Sequence, residues 1–293
     1  MHILEETLSV CEHCYRHVPA TRILRDGQIW LGKTCPKHGY VEHLVEPNAD
    51  FYLNYQYGRH ALQSYFLEVT NRCNLKCPHC YQMPDAASLD PSIDYILNLI
   101  KAWPDDGYPL ALVGAEPTVR KDLPELITAI QSLPGKPRGI MILTNGVNLA
   151  DAEYTKKFSG FKDLMWTIGL NHPDYQGHTV RRKQMEGIKC AIENKLRIKN
   201  VSYTLEDLTQ MEYCLEEIQQ FGTSICEQYR IRCGADIGRY PGSPKIFLSD
   251  LMKEVREISK RKKWDYKEDP AKGNRAHYPV IINGLPIKII QWP

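Results

Sequence analysis

The stretch VTNRCNLKCPHCY, residues 69–81, sets Cys73, Cys77 and Cys80 between a strand-like run and a proline-bearing loop. Three thiols spaced C-x3-C-x2-C are one short of a closed tetrahedral site, so a metal centre held by them keeps an open position, the feature that separates a reacting centre from a structural one. The run before them, YFLEVT, opens an alternation of strand and helix. Further strand-like runs are LALVGA, GIMILTN, LMWTIGL, IKNVSYTL and YRIRCGA. Between them, apolar residues recur with helical period over 92–103, 122–133, 151–158, 180–194 and 207–221. Six such strands with five intervening helices imply parallel pairing with right-handed crossovers, as an open sheet or a barrel. A further helix is expected over 249–263, and the end, HYPVIINGLPIKIIQWP, carries Asn283-Gly284 between apolar runs and reads as a closing hairpin.

The chain has 293 residues, 43% of them hydrophobic and 25% charged, which is enough apolar material for one large domain or two unequal ones. A formal net charge of +2 calls for neither nucleic acid nor an anionic membrane as partner. The basic runs at 181–183 and 261–263 are short and read as solvated helix faces. No secretory pattern opens the chain, and no apolar run approaches the roughly 18 residues of a membrane helix, so a cytoplasmic setting is expected. In that reducing setting ten cysteines point to metal or cluster ligation and away from disulfides.

Residues 1–57 form a separate block. CEHC near its start and CPKHG later flank the run ILRDGQIWL, where Asp26-Gly27 marks a two-residue hairpin turn. Cys11, Cys14, Cys35 and His38 then make two ligand knuckles, a spacing that resembles a zinc ribbon. A closed set of three thiolates and one imidazole is structural and supplies the folding energy that so small a block lacks. His13 and His17 are rival fourth ligands. Iron, as in rubredoxin, stays open as the metal, although such sites ordinarily take four thiolates.

The C-x3-C-x2-C loop after the first strand resembles the hallmark of the radical S-adenosylmethionine (SAM) superfamily. The resemblance implies a 4Fe-4S cluster on Cys73, Cys77 and Cys80, with Tyr81 beside it, whose unligated iron is chelated by SAM. One electron then cleaves SAM to methionine and a 5′-deoxyadenosyl radical. The segment LVGAEPTVRKDLPELI resembles the superfamily's G-G-E-P segment, with Ala115 in place of the second glycine, so Gly114, Ala115, Glu116 and Pro117 are expected near the SAM amino group. LTNG at the end of the third strand resembles the segment near the SAM ribose and nominates Thr144 and Asn145, with Asn171 after the fourth strand. All lie at strand C-termini, where parallel α/β folds bind ligands. Period-2 alternation puts Arg230 and Arg232 on one face of the sixth strand, pointing either inward to an anionic group of SAM or substrate or outward to a helix; Arg239 is a comparable candidate. Cys190, Cys214, Cys226 and Cys233 form no C-x2-C pair and read as buried thiols, with Cys226 and Cys233 the alternative ligands of an auxiliary cluster.

The expected fold is α/β: a partial (βα)6 TIM barrel over 58–245, preceded by the small zinc-ribbon-like module at 1–57 and followed by a helix and β-hairpin extension at 246–293. The N-terminal knuckles ahead of the cysteine loop resemble a subgroup that includes tetraether lipid synthase and pterin methyltransferase-like proteins. That likeness implies hydrogen abstraction from a substrate carbon, for carbon–carbon or other group transfer first, and for rearrangement or epimerisation second. It also implies a small-molecule or carrier-bound substrate and a flavodoxin or ferredoxin electron donor. A different class, a zinc-ribbon binding module on an inactive barrel, would be betrayed by loss of a cluster cysteine, and all three are present. No residue stands out as the hydrogen donor that quenches a radical.

Overall fold

A computed structural model describes residues 1–54, 64–77, 80, 82, 84–104, 107–134, 139–170, 172–233, 246–269 and 277–290. Tyr81, Asn171 and Arg239 lie outside them.

Residues 2–46 fold as a four-stranded antiparallel meander of β1 (His2–Val10), β2 (His17–Arg25), β3 (Gln28–Cys35) and β4 (Gly39–Glu46). The Asp26-Gly27 turn closes as expected, with φ of 52° and 71° and Arg25 paired to Gln28, the mirror-image geometry that matches strand twist. In a meander alternate turns fall at the same end. The Cys11–Cys14 turn and the Cys35–His38 turn therefore meet, while the Asp26-Gly27 turn lies opposite. The core is correspondingly small: Cys11, Val18 and Cys35 pack at one end, and Ile29, Ala49 and Tyr52 at the other, the last two from α1 (Ala49–Asn54).

Strands β5 (Tyr65–Glu68), β6 (Leu110–Val113), β7 (Ile140–Thr144), β8 (Leu164–Gly169), β9 (Arg197–Leu205) and β10 (Gln228–Cys233) lie side by side in chain order and pair in parallel. Helices α2 (Ile93–Ala102), α3 (Leu123–Gln131), α4 (Ala152–Lys156), α5 (Pro173–Gln176), α6 (His178–Glu193) and α7 (Met211–Phe221) make the crossovers. After α8 (Leu248–Lys262) come β11 (Tyr266–Glu268), β12 (His277–Ile282) and β13 (Leu285–Ile290). The terminal hairpin extends the sheet: β13 lies parallel to β10, β12 and β11 follow antiparallel, and β5 and β11 are the edges of nine strands. One face carries Leu112, Ile142, Trp166, Val201, Ile231 and Ile289, each fully buried under the helices. The other carries the alternate residues, including Glu68, Thr167, Ser202, Arg230 and Lys288.

Two buried polar anchors tie the layers. Glu46, 2% exposed at the end of β4, accepts from Asn48 N at 3.1 Å and from the backbone and hydroxyl of Ser249. Burial pushes the Glu46 carboxyl up, while these donors and the N-terminal dipole of α8 oppose that shift. Arg181 departs from the solvated-face reading of its basic run: helical spacing puts it in line with the buried Gln184 and Ile188, where it pairs with Glu217, which also accepts from Tyr203 Oη at 2.7 Å. Arg182 next to it stays exposed.

Glu268 on β11 accepts from Arg256 Nε at 2.5 Å and Nη2 at 2.9 Å, and from Tyr266 and Tyr278 hydroxyls at 2.7 and 2.6 Å. Burial works against its ionised form, but Arg256 and the two tyrosines outweigh it and hold the carboxyl at about 2. A folded pKa below the unfolded one stabilises the protein above about pH 4.5, and that contribution is lost as pH falls from there towards 2. Glu268→Gln should therefore flatten the fall of melting temperature across that window and leave its shape above pH 5 unchanged, as read by calorimetry.

Candidate functional site

The main-chain ladder between β5 and β6 runs on past both strands. Val69 N donates to Val113 O at 2.9 Å, Ala115 N to Thr70 O at 3.0 Å, and Glu116 N to Arg72 O at 3.0 Å. The cysteine loop and the GAEP segment are thus held side by side at the C-terminal end of the sheet. So close an approach needs Gly114: its φ is +124°, and a Cβ there would lie 2.2 Å from Thr70 O. The positive φ falls on Gly114 and not on Ala115, so the added methyl of Ala115 is tolerated. Below the loop, Arg72 forks onto Asp90, which also accepts from Thr70 Oγ1 at 2.6 Å. Burial opposes the charge on Asp90, yet Arg72 and Thr70 keep its carboxyl below the usual range. Arg120, 1% exposed, donates to Val69 O at 2.9 Å while forking onto Asp122.

Glu116 is the hub. Its carboxylate is buried to 1% exposure and accepts from Thr118 N (3.0 Å), Thr118 Oγ1 (2.6 Å), Thr144 Oγ1 (2.7 Å) and Asn145 N (2.6 Å). Burial pushes the carboxyl up and these donors oppose it. The side chain joins the turn Pro117–Val119 to the T-N-G segment. Thr144 in turn accepts from Gly146 N at 3.0 Å, so its hydroxyl is committed within the turn.

Asn145 reaches back to the cysteine loop. Its Nδ2 donates to Asn74 Oδ1 at 2.8 Å and lies 4.0 Å from Cys73 Sγ, while Asn74 Nδ2 donates to Asn148 Oδ1 at 2.9 Å and Asn148 Nδ2 to Thr118 O at 3.0 Å. Gln184 on α6 locks the turn from behind, donating to Asn145 O and Gly169 O at 3.1 and 3.0 Å. Gly187 permits this packing, since a Cβ there would meet Gly146 O at 2.1 Å. Asn74, Asn148, Gln184, Gly187 and Asp90 were missed in the sequence reading; the first two differ little from ordinary loop amides.

Cys73, Cys77 and Cys80 each sit half-buried in this loop. Burial pushes the Cys73 thiol up, and Leu75 N–H donates to its sulfur at 3.3 Å. Donors to sulfur are what a cluster ligand takes. The four remaining cysteines are elsewhere. Cys214, Cys226 and Cys233 are buried in the helix-side core, raised by burial to about 12, 11 and 11, and Cys190 lies on α6 at 3.8 Å from Ala150 O. Three thiols in the loop therefore have no fourth from this chain's cysteines, and the donor set fits a cluster with one iron left to another ligand. Arg232 lies farther along the sheet on β10, with Nε donating to Thr204 Oγ1 at 3.0 Å.

In the N-terminal sheet, the donor atoms of Cys11, Cys14, Cys35 and His38 lie within 4.8 Å of one another. Cys14 Sγ and Cys35 Sγ are 3.8 Å apart, and His38 Nδ1 is 3.4 and 3.5 Å from Cys11 and Cys35 Sγ. A tetrahedral zinc with bonds of about 2.3 Å to sulfur and about 2.0 Å to nitrogen has edges of roughly 3.8 and 3.5 Å. The set fits one tetrahedral ion, and among the described residues it is the donor group with that spacing. The His13 ring, tilted 60° to that of His38 with centroids 5.1 Å apart, is not part of the set.

Residues 67–210 match the family described as the radical SAM superfamily, and residues 3–47 that described as the HMPTM N-terminal zinc ribbon domain. The chain thus carries a radical SAM domain, the domain of an enzyme superfamily, behind an HMPTM-type zinc ribbon. It is similar to 7,8-dihydro-6-hydroxymethylpterin dimethyltransferase of Methanocaldococcus jannaschii, 30% identical over 185 residues, which are 52% of this chain and 36% of that protein. It is also similar to GTP 3′,8-cyclase 3 of Mycobacterium bovis, 32% identical over 233 residues, 73% of this chain and 60% of that one. The chain thus spans less than two thirds of these relatives' length. Streptococcus suis SuiB bound to S-adenosylmethionine shares the fold at a TM-score of 0.52 and 16% identity, covering 79% of this chain and 50% of SuiB. No helix among the described residues is long and apolar enough to cross a membrane.

Proposed function

We propose that Cys73, Cys77 and Cys80 hold a 4Fe-4S cluster and that SAM binds beside it against the GAEP and TNG segments. When bound, the cluster supplies the electron that cleaves SAM to methionine and a 5′-deoxyadenosyl radical. Everything else falls to this chain's own residues. The observation that carries the reading is the Glu116 hub, which fixes the GAEP turn, the TNG turn and, through Asn145 and Asn74, the cysteine loop as one unit.

The amides of Ala115 and Glu116 are spent on the loop, which leaves the Gly114 and Ala115 carbonyls to accept from the SAM ammonium, a donor-only group. Asn145, with its amide already set between Asn74 and Val147, is placed to contact the ribose, and Gly114, Glu116, Pro117 and Thr144 shape the cradle without offering unspent side-chain donors. Tyr81 and Asn171 complete the proposed set, with Arg232 directed to an anionic group of SAM or of the substrate. The polar face of β8–β10 and β13 receives the substrate, a small or carrier-bound molecule from whose carbon hydrogen is abstracted. Carbon–carbon or other group transfer is the favoured outcome, supported by the likeness to a dimethyltransferase that covers 52% of this chain. The ribbon holds zinc, the reductant is a flavodoxin or ferredoxin, and the setting is the reducing cytoplasm.

Anaerobic reconstitution followed by EPR tests the assignment. The dithionite-reduced protein is expected to give a cubane signal whose g-values move when SAM is added; a signal indifferent to SAM at millimolar concentration would reject SAM binding at the cluster.

A further inference from the structure

Arg230 and Lys288 face each other across β10 and β13, with Arg232 two residues nearer the strand C-terminus on the same face. Adjacent strands run about 4.8 Å apart, so these cations are close neighbours. Like charges in that position are destabilising unless something lies between them. Among the described residues neither Arg230 nor Lys288 has an acidic partner, and Arg230 Nε is buried with no hydrogen-bond partner, whereas Arg232 is held by Thr204. Burial and then the Arg232 charge pull Arg230 down to about 10, and burial and then Arg230 pull Lys288 down. The neighbours across β9 are Ser202 and Thr204, both neutral and each 7% exposed. One step deeper, Asn200 donates to Thr167 Oγ1 at 2.9 Å and keeps its own Oδ1 buried without a partner.

A guanidinium and an ammonium are rarely left half-buried side by side unless a counter-charge joins them. We propose that Arg230 and Lys288, with Arg232 at the rim, form an oxyanion subsite for the substrate, taking its phosphate or carboxylate group. The planar fork of Arg230 suits either group bidentately, and Lys288 adds a point charge beside it. The inference rests on the reading that substrate enters over this face beside SAM. It adds the substrate's chemical class: an anion, anchored three strands beyond the TNG turn.

The test is calorimetric titration of the reconstituted full chain, saturated with SAM, with inorganic pyrophosphate and separately with malonate, at ionic strength fixed with sodium chloride. One probe or both should bind at a single site, with the dissociation constant raised tenfold or more in Arg230→Gln and in Lys288→Gln and unchanged in the exposed Lys189→Gln. Preference for pyrophosphate assigns a phosphate-bearing substrate, preference for malonate a carboxylate. No binding of either, or equal affinity in Arg230→Gln, overturns the subsite. Displacement of the probe by SAM overturns it too, since the cations would then serve the SAM carboxylate. A folding defect is separable: removing a half-buried cation from beside Lys288 should raise the melting temperature of the ligand-free protein, and a fall would mean that Arg230 is anchored by the chain itself. The EPR response to SAM on the same preparation reports the parent reading independently. Probe binding lost with that response intact refutes only the subsite; a silent response with probe binding intact refutes only the SAM assignment.

Discussion

Glu116→Ala is expected to cost about 2–6 kcal/mol of folding stability and to abolish SAM binding together. The carboxylate takes four donors in a site closed to water. The hydroxyls of Thr118 and Thr144 can rotate towards other acceptors, but the amides of Thr118 and Asn145 cannot turn without moving the main chain. Two stranded buried amides at about 1–3 kcal/mol each set the range. Glu116→Gln should cost roughly half as much, because its amide NH2 must face a donor on one side only. Urea unfolding measures the stability, and SAM titration of the reconstituted variant measures the binding. A stable Glu116→Ala protein that still binds SAM would show that the hub positions nothing.

Removal of the metal from the N-terminal sheet is the second large effect. The core at that end is Cys11, Val18 and Cys35 with Cys14 against them, so three of its four members belong to the proposed ligand set. So small a sheet lacks the apolar burial to order itself, whereas a structural zinc contributes on the order of 10–16 kcal/mol of apparent binding in finger peptides. Chelation, or Cys35→Ala, is expected to lower hydrogen-exchange protection in β2 and β3 by about a thousandfold, equivalent to about 4 kcal/mol. Protection in β7 to β9 should change little, since their core under the helices shares no residue with the ribbon. Persistent protection of β3 after metal analysis finds none would make the ribbon self-sufficient.

Much of this architecture was legible because it is written locally. The knuckles are x2 spacings, the Asp26-Gly27 and Asn283-Gly284 turns are two-residue signals, and the expected helices at 92–103 and 249–263 fall within a residue of α2 and α8. β1 is not legible in the sequence: its apolar Ile3 and Leu8 are 54% and 69% exposed while the polar Thr7 and Ser9 take the half-buried side with Leu4, so its hydrophobic residues do not mark the inner face. The parity of Arg230 and Arg232 was readable, but the juxtaposition with Lys288 was not, because the parallel pairing of β13 with β10 joins segments about sixty residues apart. The Asn74, Asn145 and Asn148 bridge is likewise long-range, and its members look like turn residues until the sheet brings the loops together. Gly187 reads as a weak spot in a helix, and only the 2.1 Å approach to Gly146 O gives it a reason.

The central claim is that three thiols and the turns braced by Glu116 make a site where SAM is cleaved reductively. Wild type and Cys77→Ala, reconstituted anaerobically and supplied with dithionite and SAM, should be compared for 5′-deoxyadenosine by mass spectrometry. Formation of 5′-deoxyadenosine by the wild type and its loss in Cys77→Ala is the predicted result. Equal yields from the two proteins, or none from a wild type carrying a full cluster whose EPR signal ignores SAM, would contradict it.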